Sequence, residues 1–317
     1  MKRNIYSYSK LWMILFVLMG AACTNQVEDA IPVSGQPIGF SVQSDWKEIP
    51  NTRSDDGKMQ FVKDDEIQIF GFHTSYPNGV ETVQKFMYRE DGSNRGQIVT
   101  YNGTSWNYSP KRFWPKEGNL EFYASYPQNS IYNDADNHTM IYDQTANSMK
   151  QDDLLWGISN KYTCASDERK KNVEITMVHA LAKVNISIDN SWGGIGTVIV
   201  SAYKTGWFSK AKDGGIPEWY VDDKTSIQAV FGYYDLIRDA SGTSVTVFIL
   251  PGKITEFQMF DDHNPGNKIA ASDEIFDRIK NLTFDAGKAY NLKISSTGVQ
   301  KNTNSRSIAM SVRCVSE

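Results

Sequence analysis

Histidine, cysteine and paired carboxylates are the side chains from which a catalytic or metal centre would be assembled, and in this 317-residue chain they are scattered. The four histidines are His73, His138, His179 and His263. His179 lies inside Thr176-Met-Val-His-Ala-Leu-Ala182, where an apolar setting favours a packed, hydrogen-bonded imidazole over a base. Acidic clusters stand at Asp64-Asp65-Glu66, Asp152-Asp153 and Asp261-Asp262. A glycosidase pair needs two carboxyls facing each other across a cleft, whereas adjacent residues read as turn carboxylates. Asn133-Asp-Ala-Asp-Asn137 begins like a calcium loop, but His138 falls near the third ligand position and the glycine and late Glu are missing. Cys164 and Cys314 have no second cysteine or histidine at zinc spacing, and 150 positions separate them, so pairing between them stays open. There is no phosphate-binding glycine loop, no H-E-x-x-H and no G-x-S-x-G. These observations point to no catalytic residue, no metal and no cofactor. Exposed aromatics remain as possible binding chemistry: Trp106, Trp114, Trp207 and Trp219 would make a glycan platform if they shared a surface, and core packing if they did not.

Hydrophobic residues make up 40% and charged residues 22%, ordinary for a globular body, and the length suits about two domains. A formal charge of −4 offers no attraction to nucleic acid. Lys2, Arg3 and Lys10 precede the apolar run Leu11–Met19 and the small residues Gly20, Ala21 and Ala22, the pattern of a signal peptide over residues 1–22. The run is shorter than the ~20 residues that span a bilayer. Leu18-Met-Gly-Ala-Ala-Cys23 resembles a bacterial lipobox, with Gly20 where an aliphatic residue is usual, and this resemblance makes Cys23 the lipidated first residue of the mature protein. Several acyl chains at one cysteine anchor stably, since each buried methylene contributes about 0.8 kcal/mol. Losing residues 1–22 removes three basic side chains and no acidic one, which moves the charge from −4 to −7.

Residues 23–53 are polar and interrupted by Pro32, Gly35, Pro37 and Pro50, a tether with one short alternation at Ile38, Phe40 and Val42. Beyond it, period-two segments recur at Glu66–Phe72, Gln97–Tyr101, Asn119–Tyr126, Val173–Met177, Lys183–Ile188, Thr197–Ala202, Ser244–Leu250, Ala289–Ile294 and Ser307–Cys314. Only Ser272–Lys280 and Lys224–Ile237 are helix candidates. The expected fold is all-β, with two sandwiches in series over 54–190 and 191–317, divided at the glycine-containing break near 190.

Several segments, in order, resemble the fimbrillin-like pilins and minor fimbrial lipoproteins of Bacteroidales-type bacteria, the subunits of type V pili. They are F-V-K-D-D-E-I-Q-I-F-G-F (Phe61–Phe72), S-W-N-Y-S-P-K-R-F-W-P (Ser105–Pro115), L-E-F-Y-A-S-Y-P (Leu120–Pro127), D-D-L-L-W-G (Asp152–Gly157), V-H-A-L-A-K-V-N-I-S-I (Val178–Ile188) and L-T-F-D-A-G-K-A-Y-N-L-K-I (Leu282–Ile294). The resemblance implies transthyretin-like sandwiches, an outer-membrane lipoprotein precursor, and assembly of surface fimbriae by strand exchange after an Arg-specific protease removes an N-terminal segment. Arg53, in the polar stretch Pro50–Gly57, is suitably placed for that cleavage. At the other end Ile308, Met310, Val312 and Cys314 project from one face of an extended segment, the pattern of a donor strand, although an ordinary terminal strand has the same pattern. The leading expectation is thus a structural and adhesive fimbrial subunit without enzymatic activity, on the cell surface, whose partners are other subunits, outer-membrane lipid through Cys23, and a host or bacterial surface protein or glycan. The alternatives are a monomeric glycan-binding surface lipoprotein and, behind it, a lipid-anchored hydrolase.

Overall fold

The structure is a computed structural model that describes residues 37–44, 61–134, 139–164, 171–209, 215–264 and 266–305. Cys23, Arg53, His138, Ile308, Met310, Val312 and Cys314 lie outside the described residues.

The protein is all-β. In chain order the first half carries β1 (Phe40–Ser44), β2 (Glu66–Ser75), β3 (Thr82–Met87), β4 (Gln97–Tyr101), β5 (Trp106–Asn107), β6 (Asn119–Tyr126), β7 (Ile131–Asn133), β8 (Thr139–Asp143), the short helix α1 (Ala146–Gln151), β9 (Leu155–Ser159), β10 (Tyr162–Thr163) and β11 (Val173–His179). The second carries β12 (Ala182–Asp189), β13 (Ile195–Tyr203), β14 (Thr205–Ser209), β15 (Tyr220–Val221), β16 (Ser226–Phe231), β17 (Ile237–Asp239), β18 (Gly242–Ile249), β19 (Ile254–Asp261), α2 (Ala271–Ile279), β20 (Lys288–Ser295) and β21 (Gly298–Ser305).

These strands form four sheets. A nine-stranded sheet runs β1-β11-β9-β6-β2-β4-β5, with β10 on β6 and β3 on β2. A five-stranded sheet, β17-β18-β12-β20-β21, faces the three-stranded sheet β16-β13-β19 across a shared core that includes Val184, Val247, Val200 and Phe257. The fourth, β15-β14-β8-β7, takes strands from both halves.

β2 shows how alternation becomes packing. Ile67 and Ile69 enter one core beside Phe122 and Val99, while Phe70 and Phe72 enter another beside Trp156 and Phe208. Both faces of β2 are therefore buried, and Gln68, fully buried, is satisfied through its side-chain nitrogen by Ser125 Oγ and the Ile131 carbonyl, each at 2.8 Å. Gly71 belongs to the same squeeze, since a Cβ there would lie 2.8 Å from Met87 Cβ.

β12 precedes the break near 190 and pairs with β18 and β20, so the chain changes sheet between His179 and Ala182. A Gly-containing turn marks the end of a strand without saying which sheet that strand joins. The stretch Lys224–Ile237 is not helical: Ala229 and Phe231 alternate inward from β16 against β13, and Gly232 N–H donates to Asp235 Oδ2 (3.0 Å) to close a turn. α1 escapes sequence reading because six residues are too few to display a helical period, although Thr145 caps it by accepting from Ser148 N–H at 3.2 Å. The other helix, α2, matches its expected span and packs Ile275 and Ile279 inward.

Candidate functional site

The most distinctive local arrangement is the seam filled by β1. Ile38, Phe40 and Val42 alternate inward and are buried in the core of the nine-stranded sheet, while Gln43 points to solvent. On one side β1 runs parallel to β11, with Phe40 opposite Val173, Val42 opposite Ile175 and Ser44 opposite Met177. Val173 N–H donates to the Gly39 carbonyl at 2.8 Å. A Cβ at Gly39 would sit 2.2 Å from Asn172 Oδ1, so a larger residue there needs the Asn172 side chain to turn aside. On the other side Ile38 N–H donates to the Arg112 carbonyl (2.9 Å), Tyr108 Oη–H donates to the Ile38 carbonyl (2.7 Å), and Pro37 bridges to Phe113. The Phe40 ring stands edge-on to Tyr108 (centroids 5.7 Å apart) and Phe122 (5.4 Å). β1 thus plugs the gap between β11 and the Tyr108–Phe113 segment.

Each of these three apolar side chains contributes about 1.5–3 kcal/mol by its burial. The plug is held by a strand whose covalent link to the next described residue, Phe61, runs through residues 45–60 and hence through Arg53. Phe61 is anchored where the described chain resumes, edge-on to Trp106 at 4.9 Å and to Tyr126 at 5.8 Å. Cleavage after Arg53 leaves β1 attached to the protein by non-covalent contacts alone.

Burial of Tyr108 pushes its phenol up to about 12, against a smaller opposing effect of the Arg112 backbone and charge. The folded-state value exceeds the ordinary value of 10.0, so the stability this phenol contributes is present below pH ~10 and lost as pH rises through about 12. Tyr108→Phe removes the hydrogen bond to Ile38 and is expected to cost about 1 kcal/mol in urea unfolding at pH 7. It should also shrink the loss of stability between pH 10 and 12. An unchanged alkaline limb would show that Tyr108 does not hold β1.

The other sequence candidates do not converge. His73 Nε2 contacts the Glu117 carbonyl at 2.8 Å, His179 Nδ1 contacts Asp153 Oδ2 at 2.5 Å in a buried setting, and His263 is exposed beside Asp261 and Asp262. Asn133 is buried, accepting from Tyr88 Oη–H and donating to the Thr139 carbonyl, so its side chain is occupied within the fold rather than in an ion loop. Cys164 is buried, its thiol pushed up to about 11 by desolvation, and it forms no disulfide among the described residues. The four-tryptophan platform does not form: Trp106 and Trp114 are core residues, and Trp219 is half-buried with Nε1–H donating to the Ala180 carbonyl at 2.8 Å. Trp207 alone of the four is exposed. Among the described residues no helix is long and apolar enough to cross a membrane.

The sequence matches the fimbrillin-like family over residues 52–310, most of the chain. The chain belongs to the fimbrillin-like family. That membership supports a pilus or adhesin subunit at the cell surface, working among other fimbrial subunits, and a structural rather than an enzymatic role. The fold is shared with a candidate cell adhesion protein of Bacteroides uniformis, at 18% identity and a TM-score of 0.50 over 86% of this chain and 98% of the other. A fimbrial protein of Bacteroides vulgatus (15% identity, TM-score 0.42, 85% and 99% covered) and the fimbrial anchor protein of Porphyromonas gingivalis (10%, 0.38, 85% and 98%) are also similar. No curated protein matches the sequence. In this fimbrillin-like chain the family match begins at residue 52, beside Arg53 and after β1.

Proposed function

We propose that this fimbrillin-like protein is a fimbrial subunit that is exported as a lipoprotein anchored through Cys23 and polymerises by strand exchange once cleavage at Arg53 releases β1. The observation that supports it is the β1 plug, whose three alternating apolar side chains fill one seam and whose only covalent tie to the body passes through Arg53. Once β1 leaves, β11 becomes an edge strand with unpaired backbone groups, flanked by the cavities that Ile38, Phe40 and Val42 occupied. The segment Ile308, Met310, Val312, Cys314 repeats the same two-residue apolar spacing and comes from the far end of the chain. A second copy can offer that segment to the vacated seam, exchanging main-chain hydrogen bonds and refilling successive pockets. The body would comprise two sandwich units, one around the nine-stranded sheet and one around the facing five- and three-stranded sheets, and would be tethered to outer-membrane lipid. No reaction is assigned to it.

The test is assembly of the purified mature protein with and without an Arg-specific protease, followed by non-boiled electrophoresis and electron microscopy. The expected result is a ladder or filament that requires cleavage at Arg53 and disappears on deletion of Ser307–Glu317. A protein that is cleanly cut at Arg53 and stays monomeric overturns strand-exchange polymerisation and leaves the monomeric surface lipoprotein.

A further inference from the structure

Across the four-stranded sheet, one outward-facing row is aromatic and aliphatic. Tyr132 on β7 stands opposite Ile141 on β8, Ile141 opposite Trp207 on β14, and Trp207 opposite Tyr220 on β15. Directly opposed residues share a face, so these four form a continuous ladder. With strands about 4.8 Å apart, the row is roughly 14 Å long. The opposite face of the same strands supplies Ile131, Met140, Tyr142 and Phe208 to a buried core, which fixes the ladder on the outside. Trp207 is 39% exposed and Tyr220 54%, while Ile141 and Tyr132 are half-buried. The Arg95 guanidinium lies 5.9 Å from the Tyr132 ring centroid and terminates the row.

Polar side chains border the ladder. Two positions along the strands on this face stand Asp143 opposite Thr205, with Asp222 beyond, where Asp222 N–H donates to the Thr205 carbonyl at 2.9 Å. Asp143 is 3.6 Å from Lys204 Nζ. A core contact would have apolar neighbours on both flanks, and this row has carboxylates and hydroxyls. We propose that the ladder is a binding site for a neutral, linear glycan.

The faces of pyranose rings carry polarised C–H groups that pack on the electron-rich faces of Trp and Tyr, and their equatorial hydroxyls reach sideways to carboxylates and hydroxyls. The ladder supplies the first and its borders the second, at a strand spacing close to the length of one sugar unit along a chain. The border charges offset one another, Asp143 and Asp222 against Lys204 and the Arg95 guanidinium at the end of the row, so the site offers no net field to a charged chain and the ligand is uncharged. A protein partner fits less well. A strip one residue wide, with two of its four members half-buried, offers on the order of a few hundred Å², well short of the ~800 Å² per partner in a stable protein interface.

The test is native affinity electrophoresis of the mature protein in gels containing mixed-linkage β-glucan, glucomannan or pullulan, three neutral and essentially unbranched chains, with polygalacturonate as the acidic counterpart. Retardation by at least one neutral polysaccharide is expected, with Trp207→Ala and Tyr220→Ala each weakening it about tenfold and leaving the melting temperature unchanged. Tyr234→Ala, which removes an exposed aromatic elsewhere, should bind as the parent does. The proposal is overturned if none of the three neutral polysaccharides retards the protein, if retardation survives both ladder substitutions, if only polygalacturonate binds, or if the substitutions abolish self-association in sedimentation instead, which would make the row a protein contact. Assembly after cleavage at Arg53 should proceed unchanged in Trp207→Ala, because this face is distinct from the β1 seam.

Discussion

Phe40→Asp is expected to expel β1 from its seam and lower the unfolding free energy of the mature protein by about 3–5 kcal/mol, the range for losing a fully packed Phe, with the burial of an unpaired carboxylate added. Phe40 carries this effect because it is the middle member of the Ile38, Phe40, Val42 set and packs edge-on to both Tyr108 and Phe122. The cost can be relieved only if the strand leaves the core, the same release proposed to follow cleavage at Arg53. Hydrogen exchange distinguishes local release from global loss of structure: the amides of Ser41, Gln43, Val173 and Ile175 should lose protection while those of β18 and β20 keep it. Gln43→Lys, at an exposed position of the same strand, should change stability by less than ~0.5 kcal/mol. If Phe40→Asp leaves protection along β11 intact, β1 is not what covers that edge, and the seam loses its place in assembly. If it releases β1 and the protein then assembles without protease, cleavage acts only to remove the plug.

Trp156→Ala should be as costly, about 3–5 kcal/mol, for a different reason. Trp156 is fully buried on the face of the nine-stranded sheet that packs against the four-stranded sheet, stacked at 5.8 Å on Tyr123 and edge-on at 4.9 Å to Phe208 of that second sheet. Phe208 continues to Trp219 at 4.8 Å, and Phe248 of β18 and Leu250, just past its end, close the same cluster. The aromatic chain therefore joins strands from both halves of the sequence. Truncation should lower the melting temperature and, when chemical denaturation is followed by hydrogen exchange, separate the loss of protection at β6 and β9 from that at β18 and β20. A single unchanged transition at the parental midpoint would show that the cluster does not carry coupling between the halves.

Much of the fold was legible because strand alternation is a local code. Glu66–Ser75, Asn119–Tyr126, Val173–His179 and Lys288–Ser295 form strands where hydrophobic residues recur every second position, and α2 forms where the first-turn acids Asp273 and Glu274 lead into Ile275 and Ile279. β21 shows no alternation in the sequence, because Gly298-Val-Gln-Lys-Asn-Thr-Asn-Ser305 is polar and pairs through its backbone with β20. The candidate site was half legible. Ile38, Phe40 and Val42 stood out as a strand in a tether, but nothing local shows that this strand lies parallel to β11 with Arg112 and Tyr108 on its other side.

The amino-acid order by itself determined the export signal pattern, the all-β class, the absence of a local catalytic signature and the ordered motifs of a fimbrillin-like chain, since each depends on residues near one another in sequence. Tertiary structure decided that β12 joins the second half's sheet, that β1 plugs a seam, that Trp106 and Trp114 are core, and that Tyr132, Ile141, Trp207 and Tyr220 form one exposed row. The physical reason is that alternation specifies which side chains share a face of a strand, whereas backbone hydrogen bonds are offered equally to any neighbouring edge. The choice of neighbour is made by long-range packing around Phe40, Phe70, Trp156 and Phe208, which bury their side chains only when strands distant in sequence come together.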